Sequence, residues 1–304
     1  MRAFAFALLA VALTACGPRI PEQTSALDDR AITVASFDFP ESVVLAEIYA
    51  QALETGGFEI ERQLGIGARE LVEPSLERGL VEFVPEYSGS ALEFLTGGAG
   101  LATSDEATTH ARLTEAFAER GVAVLAPAPA QNRNGFAVTR ATADQYGLET
   151  ISDLAHVDTE LAFGGPPECP ERPLCLQGLE QTYGLEFARF VVLDAGGQIT
   201  VSALRAETVD VALLFTTDGA IAENDFVLLE DDRELQPAEN LTPVVRAEVI
   251  ETHGDRFVRL VDAVSGELTT AELRALNSNV ALGAAPADVA ADWLTDHGPS
   301  EPTD

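Results

Sequence analysis

Lysine is absent from this chain. All 18 basic residues are Arg, set against 50 Asp and Glu among 304 residues, for a net charge of −32. Binding a phosphate backbone needs a basic stripe that releases counterions, and none is present, so no nucleic acid partner is expected. The acidity reads as a solvated, self-repelling surface. Histidine is scarce: His110, His156, His253 and His297 stand apart in polar surroundings, which suits surface positions better than ligands or bases. There is no Gly-x-Ser-x-Gly elbow, no Walker sequence and no His-Glu-x-x-His, and Gly65-Ile-Gly67 lacks the third glycine of a dinucleotide fingerprint. Among so many carboxylates, any acid–base pair would be chosen from noise. The sequence therefore makes no case for an enzyme, a metal or a cofactor.

Cysteine is nearly as scarce, with three in the chain. Cys16 closes a short apolar run that begins after Arg2 and ends Leu13-Thr-Ala-Cys16. That run is too short to span a bilayer permanently and has small residues at a cleavage point, as in a secretory signal. Leu-Thr-Ala-Cys also resembles the bacterial lipobox, in which the Cys receives lipid; a plain signal peptide or a buried free Cys is the alternative. Acyl chains contribute about 0.8 kcal/mol per buried methylene, enough to anchor the chain when several are attached. Residues 1–16 are then a lipoprotein signal peptide and 17–30 a polar tether. Cys169 and Cys175 lie close together in a Pro-rich segment of an exported chain, which favours a disulfide over a metal site, since no His is near. Closing so short a loop gains roughly 2–3 kcal/mol in the chain-entropy model, and stiffens the loop that carries Arg172.

What the chain has in quantity is alternation. With 46% hydrophobic residues it can bury a large core, and its length suggests about two domains. Strands are expected at 32–36, 58–64 and 81–84, separated by a helix from Glu41 and another through Leu71–Leu76, an order that indicates a parallel sheet. The pattern then repeats. Val81-Glu-Phe-Val-Pro-Glu-Tyr87 is echoed 128 positions on by Val209-Asp-Val-Ala-Leu-Leu-Phe215, and Glu54–Ile60 by Gln181–Phe187 at an offset of 127. Chance likeness of two ordinary strand–helix units is the bland alternative. Fixed-offset similarity otherwise marks duplication, here of two lobes. Residues 31–130 and 243–304 form lobe 1 and residues 131–242 lobe 2, with the chain crossing near Ala126–Pro129 and returning near Pro237–Val245.

In open α/β sheets ligands bind at the C-terminal edge of the strands, which is where both repeats place an aromatic followed by a turn. Tyr87 and Phe215 would face each other across a cleft, each attracting a cation by roughly 0.5–2 kcal/mol when desolvated. Ser88, Gly89 and Ser90 open a helix whose N–H groups and hydroxyls suit an anionic head, as do Thr216, Thr217 and Asp218 in the other lobe. Arg172 could grip a carboxylate in a bidentate pair. Taken singly, Tyr87 and Phe215 read as core and Arg172 as surface; the argument lies in their convergence.

These segments resemble the osmoprotectant-binding lipoproteins of ABC importers for glycine betaine, choline and carnitine. Pro85-Glu-Tyr-Ser-Gly-Ser90 resembles that family's Pro-Glu-Tyr-Thr-Gly-Thr, Phe215-Thr-Thr-Asp-Gly219 its Tyr-Ser-Thr-Asp-Gly, and Ser36-Phe-Asp-Phe-Pro-Glu41 its Ser-Lys-x-Phe-Thr-Glu. Pro170-Glu-Arg-Pro173 stands where its carboxylate-binding Arg is found. The resemblance implies an α/β, two-lobed type II periplasmic-binding-protein fold that closes on its solute and hands it to a membrane permease and ATPase. It also implies an extracytoplasmic, lipid-anchored monomer. The departures bear on the ligand: the family's Lys is Phe37, one cage aromatic is Asn134, another near Val201 is aliphatic, and the final Tyr is Phe215. Phe37, Tyr87 and Phe215 are expected to wall a cationic end, and Ser90, Asn134, Arg172 and Thr216 to address the polar end of a small zwitterionic or cationic solute. Two other readings are a sensor or interaction lipoprotein with an altered or lost ligand, and a secreted enzyme.

Overall fold

The structure is a computed structural model that describes residues 31–298; the expected signal peptide at 1–16 with Cys16, the expected tether at 17–30 and the last six residues lie outside the described residues. Among the described residues ten strands form two five-stranded sheets. In the first, β1 (Ile32–Ala35), β2 (Ile60–Gln63), β3 (Phe83–Tyr87), β4 (Val122–Val124) and β10 (Leu241–Arg246) are ordered β2-β1-β3-β10-β4. In the second, β5 (Asn134–Thr139), β6 (Ala162–Gly165), β7 (Arg189–Val192), β8 (Val211–Phe215) and β9 (Phe226–Leu228) are ordered β7-β6-β8-β5-β9. One plan is used twice.

The register of the duplication is exact where it matters. β3 and β8 are 128 positions apart, and so are the ends of the helices before them, α2 (Arg69–Glu77) and Gln198–Arg205. The matched pairs Leu76 and Leu204, and Val81 and Val209, are all fully buried. Upstream the match slips: β2 and β7 are 129 apart, and the Glu54–Ile60 echo falls mostly in the turn ahead of the strands.

Neither sheet is purely parallel, contrary to the alternation argument. β10 runs antiparallel to β3 and β4, and β5 antiparallel to β8 and β9. The reason is connectivity. The parallel strands end at the cleft edge, so a strand arriving from the other lobe starts at that edge and runs away from it. Accordingly Leu241 pairs with Tyr87, and Asn134 with Phe215. Just before those strands the two crossings pair with each other: Leu241 N–H donates to Ala130 O at 2.9 Å and Asn132 N–H to Glu239 O at 3.0 Å.

Helix α1 (Pro40–Thr55) begins with Pro at its first turn, where the missing N–H costs nothing. Its apolar stripe of Leu45, Ile48, Tyr49, Ala52 and Leu53 is buried, but so are Ala46, Glu47 and Ala50 on other faces. Burial on more than one side follows from its position between the first sheet and the C-terminal helices, whose Phe257, Val261, Leu273 and Trp293 share its core. Tyr49 and Ser265 hydroxyls bond at 2.9 Å inside that contact, satisfying two polar groups that burial would otherwise penalise. The second sheet has its own core around Phe136, Phe163 and Leu179. Helix α3 spans Ser88–Leu95, so Ser88, Gly89 and Ser90 form its first turn. Among the described residues no helix is long and apolar enough to cross a membrane.

Candidate ligand cleft

Between the cleft edges of the two sheets lies a cavity of about 520 Å³, within the range of small-molecule sites. Phe37, Tyr87, Ser90, Asn134, Arg172 and Phe215 all line it, together with Phe39 and Arg69. Thr216 does not. Its hydroxyl accepts from Arg133 N–H at 3.0 Å and donates to Asn132 Oδ1 at 3.4 Å, in the crossing rather than the cavity. Val201 is buried in the second lobe's core, where the aliphatic residue is a packing element.

The aromatic residues do not stand as the sequence suggests. Phe39, which caps α1, occupies the middle: its ring centroid is 5.1 Å from Phe215 and 6.2 Å from Tyr87. Phe37 is 3% exposed. Its ring stacks on Phe39 at 5.9 Å and carries the Arg69 guanidinium at 5.0 Å, so protein groups already occupy it. Phe39 and Phe215 are the half-buried rings of the group, and the Tyr87 ring, 5% exposed, lies beside Phe39 at the cavity wall. Phe39 lies within the Ser36–Glu41 motif but outside the expected set of site residues; its position just ahead of Pro40, at the cleft end of α1, is the sequence signal for it.

The Tyr87 hydroxyl donates to the buried Glu41 carboxylate, and burial followed by that charge raises its pKa well above the usual phenol range. Only the ring is left for a ligand. Glu41 also accepts from Asn132 Nδ2 at 2.7 Å, Thr217 Oγ1 at 2.5 Å and Asn277 Nδ2 at 2.6 Å. One carboxylate thus gathers donors from the first sheet, the crossing, the second lobe and a C-terminal helix. Four donors match the four lone-pair sites of a carboxylate, which is what allows it to be buried.

The helix start at Ser88–Ser90 is not open to an anion. Glu239, 1% exposed, accepts from Gly89 N–H and Ser90 N–H at 3.1 Å each and from Ser90 Oγ at 2.6 Å. The protein supplies its own anion to the N-terminus of α3. Gly89 permits this approach, since a Cβ there would stand 2.8 Å from Ala238 O. Burial, opposed by the Ser90 bonds, pushes the Glu239 carboxyl up to about 7. In the other lobe Asp218 Oδ1 accepts from Ala220 N–H at 2.8 Å, and burial raises its carboxyl to about 6.

Arg172 is also engaged. Its Nη2 lies 2.8 Å from Glu70 Oε2, across the cleft on α2, and 3.6 Å from Glu168 Oε1. Cys169 and Cys175 are disulfide-bonded, Cα atoms 5.2 Å apart, so a short closed loop carries the guanidinium to its partner. Asn134 Nδ2 donates to Leu174 O at 2.9 Å and ties the crossing strand to the same loop. Five acidic residues, Asp38, Glu70, Glu93, Glu168 and Glu171, line the cavity against two basic ones, Arg69 and Arg172; of the five, Glu70 and Glu168 face Arg172, and Glu93 accepts from Gly100 and Ala102 N–H. Three aromatic rings in a cleft lined mainly by acidic residues favour a cation.

A two-lobed fold with its cleft at the edges of duplicated sheets is that of a solute-binding protein. The family described as the substrate-binding domain of ABC-type glycine betaine transport systems matches residues 30–296, and the chain belongs to it. It is 30% identical over 269 residues to the glycine-betaine-binding protein of Pseudomonas aeruginosa, covering 85% of each chain. It is 27% identical to the glycine betaine-binding protein YehZ of Escherichia coli, covering 85% and 88%. Similarity of 27% extends to the ergothioneine transport permease/binding protein EgtU of Helicobacter pylori, of whose length the chain spans about half, 51%. Among solved structures, a glycine betaine/carnitine/choline ABC transporter protein shares the fold with a TM-score of 0.69 at 24% identity, covering 88% of this chain and 98% of that one.

Proposed function

We propose that the chain is the extracytoplasmic receptor of an ABC importer and captures a small solute with a methylated ammonium group, such as choline or glycine betaine, by closure of its two lobes. One observation carries the reading of the ligand: Phe39, Tyr87 and Phe215 converge in a cavity whose charged groups are mainly carboxylates. Named relatives bind glycine betaine, which agrees with this class. Cys16 carries lipid, residues 17–30 leave the receptor free to move on its tether, and it acts as a monomer that delivers solute to a permease driven by its ATPase. Closure is favoured only as far as the ligand contacts both lobes better than one.

Thermal unfolding against choline, betaine, carnitine and non-methylated solutes tests the reading. Ligand at a hundred times its dissociation constant stabilises by about 2.7 kcal/mol, which at this size raises the midpoint by roughly 5–10 °C. A shift with a methylated amine and none with proline is expected. Silence across every methylated amine refutes it.

A further inference from the structure

Lobe 2 acts as an internal control for lobe 1. At the positions 128 residues on from Arg69, Glu73 and Glu86 stand Gly197, Val201 and Leu214. The fold therefore accommodates small or apolar groups at these three sites, yet lobe 1 buries three ionisable ones, 8%, 1% and 0% exposed. Burying an ion pair rarely stabilises a fold more than apolar side chains of similar volume would, so architecture does not account for them.

Their geometry suggests what does. Arg69 Nε and Nη2 bond Glu86 Oε1 and Oε2 at 2.7 and 2.8 Å, a bidentate pair that fixes the guanidinium plane over the Phe37 ring. Nη1 has no hydrogen-bond partner among the described residues, and Arg69 lines the cavity. Glu73, whose two oxygens also lack partners, is buried beside the pair, and burial and the neighbouring Glu86 push its carboxyl well above the usual carboxylate range. Arg172, by contrast, already holds Glu70 across the cleft.

We propose that Arg69 is a specificity-determining group of the cleft, its free Nη1 edge donating to an anionic oxygen of the bound solute, while Arg172 clasps the two lobes through Glu70. Glu86 aims the donor without closing it, because a guanidinium has five N–H groups and the pair uses two of its three nitrogens. The assignment rests on the solute class proposed above and says which end of that solute is read where.

The test is titration calorimetry with glycine betaine and with choline, which lacks the carboxylate, on wild type, Arg69→Met/Glu86→Leu and Arg172→Gln. The double variant removes both charges together, copies the Leu of the twin lobe, and is expected to keep a cooperative unfolding transition. Betaine affinity should fall at least tenfold more than choline affinity in the double variant, and both should fall alike in Arg172→Gln. A folded double variant with the wild-type betaine-to-choline ratio overturns the assignment. So does a double variant that fails to fold, which would make the pair structural, or a ratio that changes in Arg172→Gln alone. Wild-type protein that binds neither compound overturns the proposed solute class, and the assignment with it.

Discussion

Replacing Glu41 by Gln keeps the shape of the side chain and changes one oxygen into an NH2 group. In the wild type, one oxygen takes the Tyr87 hydroxyl and Asn132 Nδ2, and the other takes Thr217 Oγ1 and Asn277 Nδ2. The new amide can keep the first pair of acceptor contacts. Its NH2 then faces two donors, of which the Thr217 hydroxyl can rotate to accept. Asn277 Nδ2 cannot flip without cost, because it also donates to Thr217 O at 3.1 Å. Loss of one charge-assisted bond at about 1.5–3 kcal/mol, plus weakening of the rest as the charge disappears, puts the cost at about 3 kcal/mol. At roughly 2 °C per kcal/mol for a chain of this size, the calorimetric midpoint should fall by about 6 °C. Because the donors come from both lobes and the crossing, solute affinity should fall as well. A midpoint within about 1 °C of wild type would mean that the four contacts hold the fold no better than a surface carboxylate does.

Glu239 gives a pH signature. Its folded pKa of about 7 lies above the ordinary carboxylate value, so the native state holds the proton longer than the unfolded chain does. The stability it lends is present below the unfolded pKa and declines as pH rises toward the folded value. Asp218, at about 6, adds a smaller decline of the same sign. Denaturant unfolding should therefore show wild type losing more stability between pH 5 and pH 8 than Glu239→Gln does; parallel profiles would contradict the burial argument. At Tyr87 the hydroxyl serves Glu41, and in the proposed site the ring faces the solute. Tyr87→Phe should change cation affinity by less than about threefold, and Tyr87→Ala should weaken it at least tenfold; equal losses in titration would show that the hydroxyl matters to binding.

The duplicated strand ends were legible because a buried strand followed by a turn leaves a run of apolar residues at fixed offset, and Val81–Tyr87 and Val209–Phe215 keep that run intact. The returning strand at Leu241–Arg246 was legible too, but not its direction, since direction comes from which lobe the chain arrives from. Charged residues were the blind spot. Arg69, Glu73, Glu86 and Glu239 are buried, yet among 50 carboxylates and 18 guanidiniums nothing in the sequence separates them from a solvated face. Of the Ser88–Ser90 helix start, Ser90 lines the cavity, but the anion at that helix start is Glu239, 149 residues on from Ser90. Phe39 was hidden for a different reason: a lone Phe ahead of a helix reads as a packing residue until its neighbours Tyr87 and Phe215 are known to share one cleft.

In the proposed site, aromatic rings in an acidic cleft recognise positive charge. Titrating the protein with choline and with its uncharged carbon isostere, 3,3-dimethyl-1-butanol, isolates that charge at constant shape. Three rings at roughly 0.5–2 kcal/mol each predict choline binding at least tenfold tighter. Equal affinity for the two compounds, or tighter binding of the uncharged one, would contradict the account.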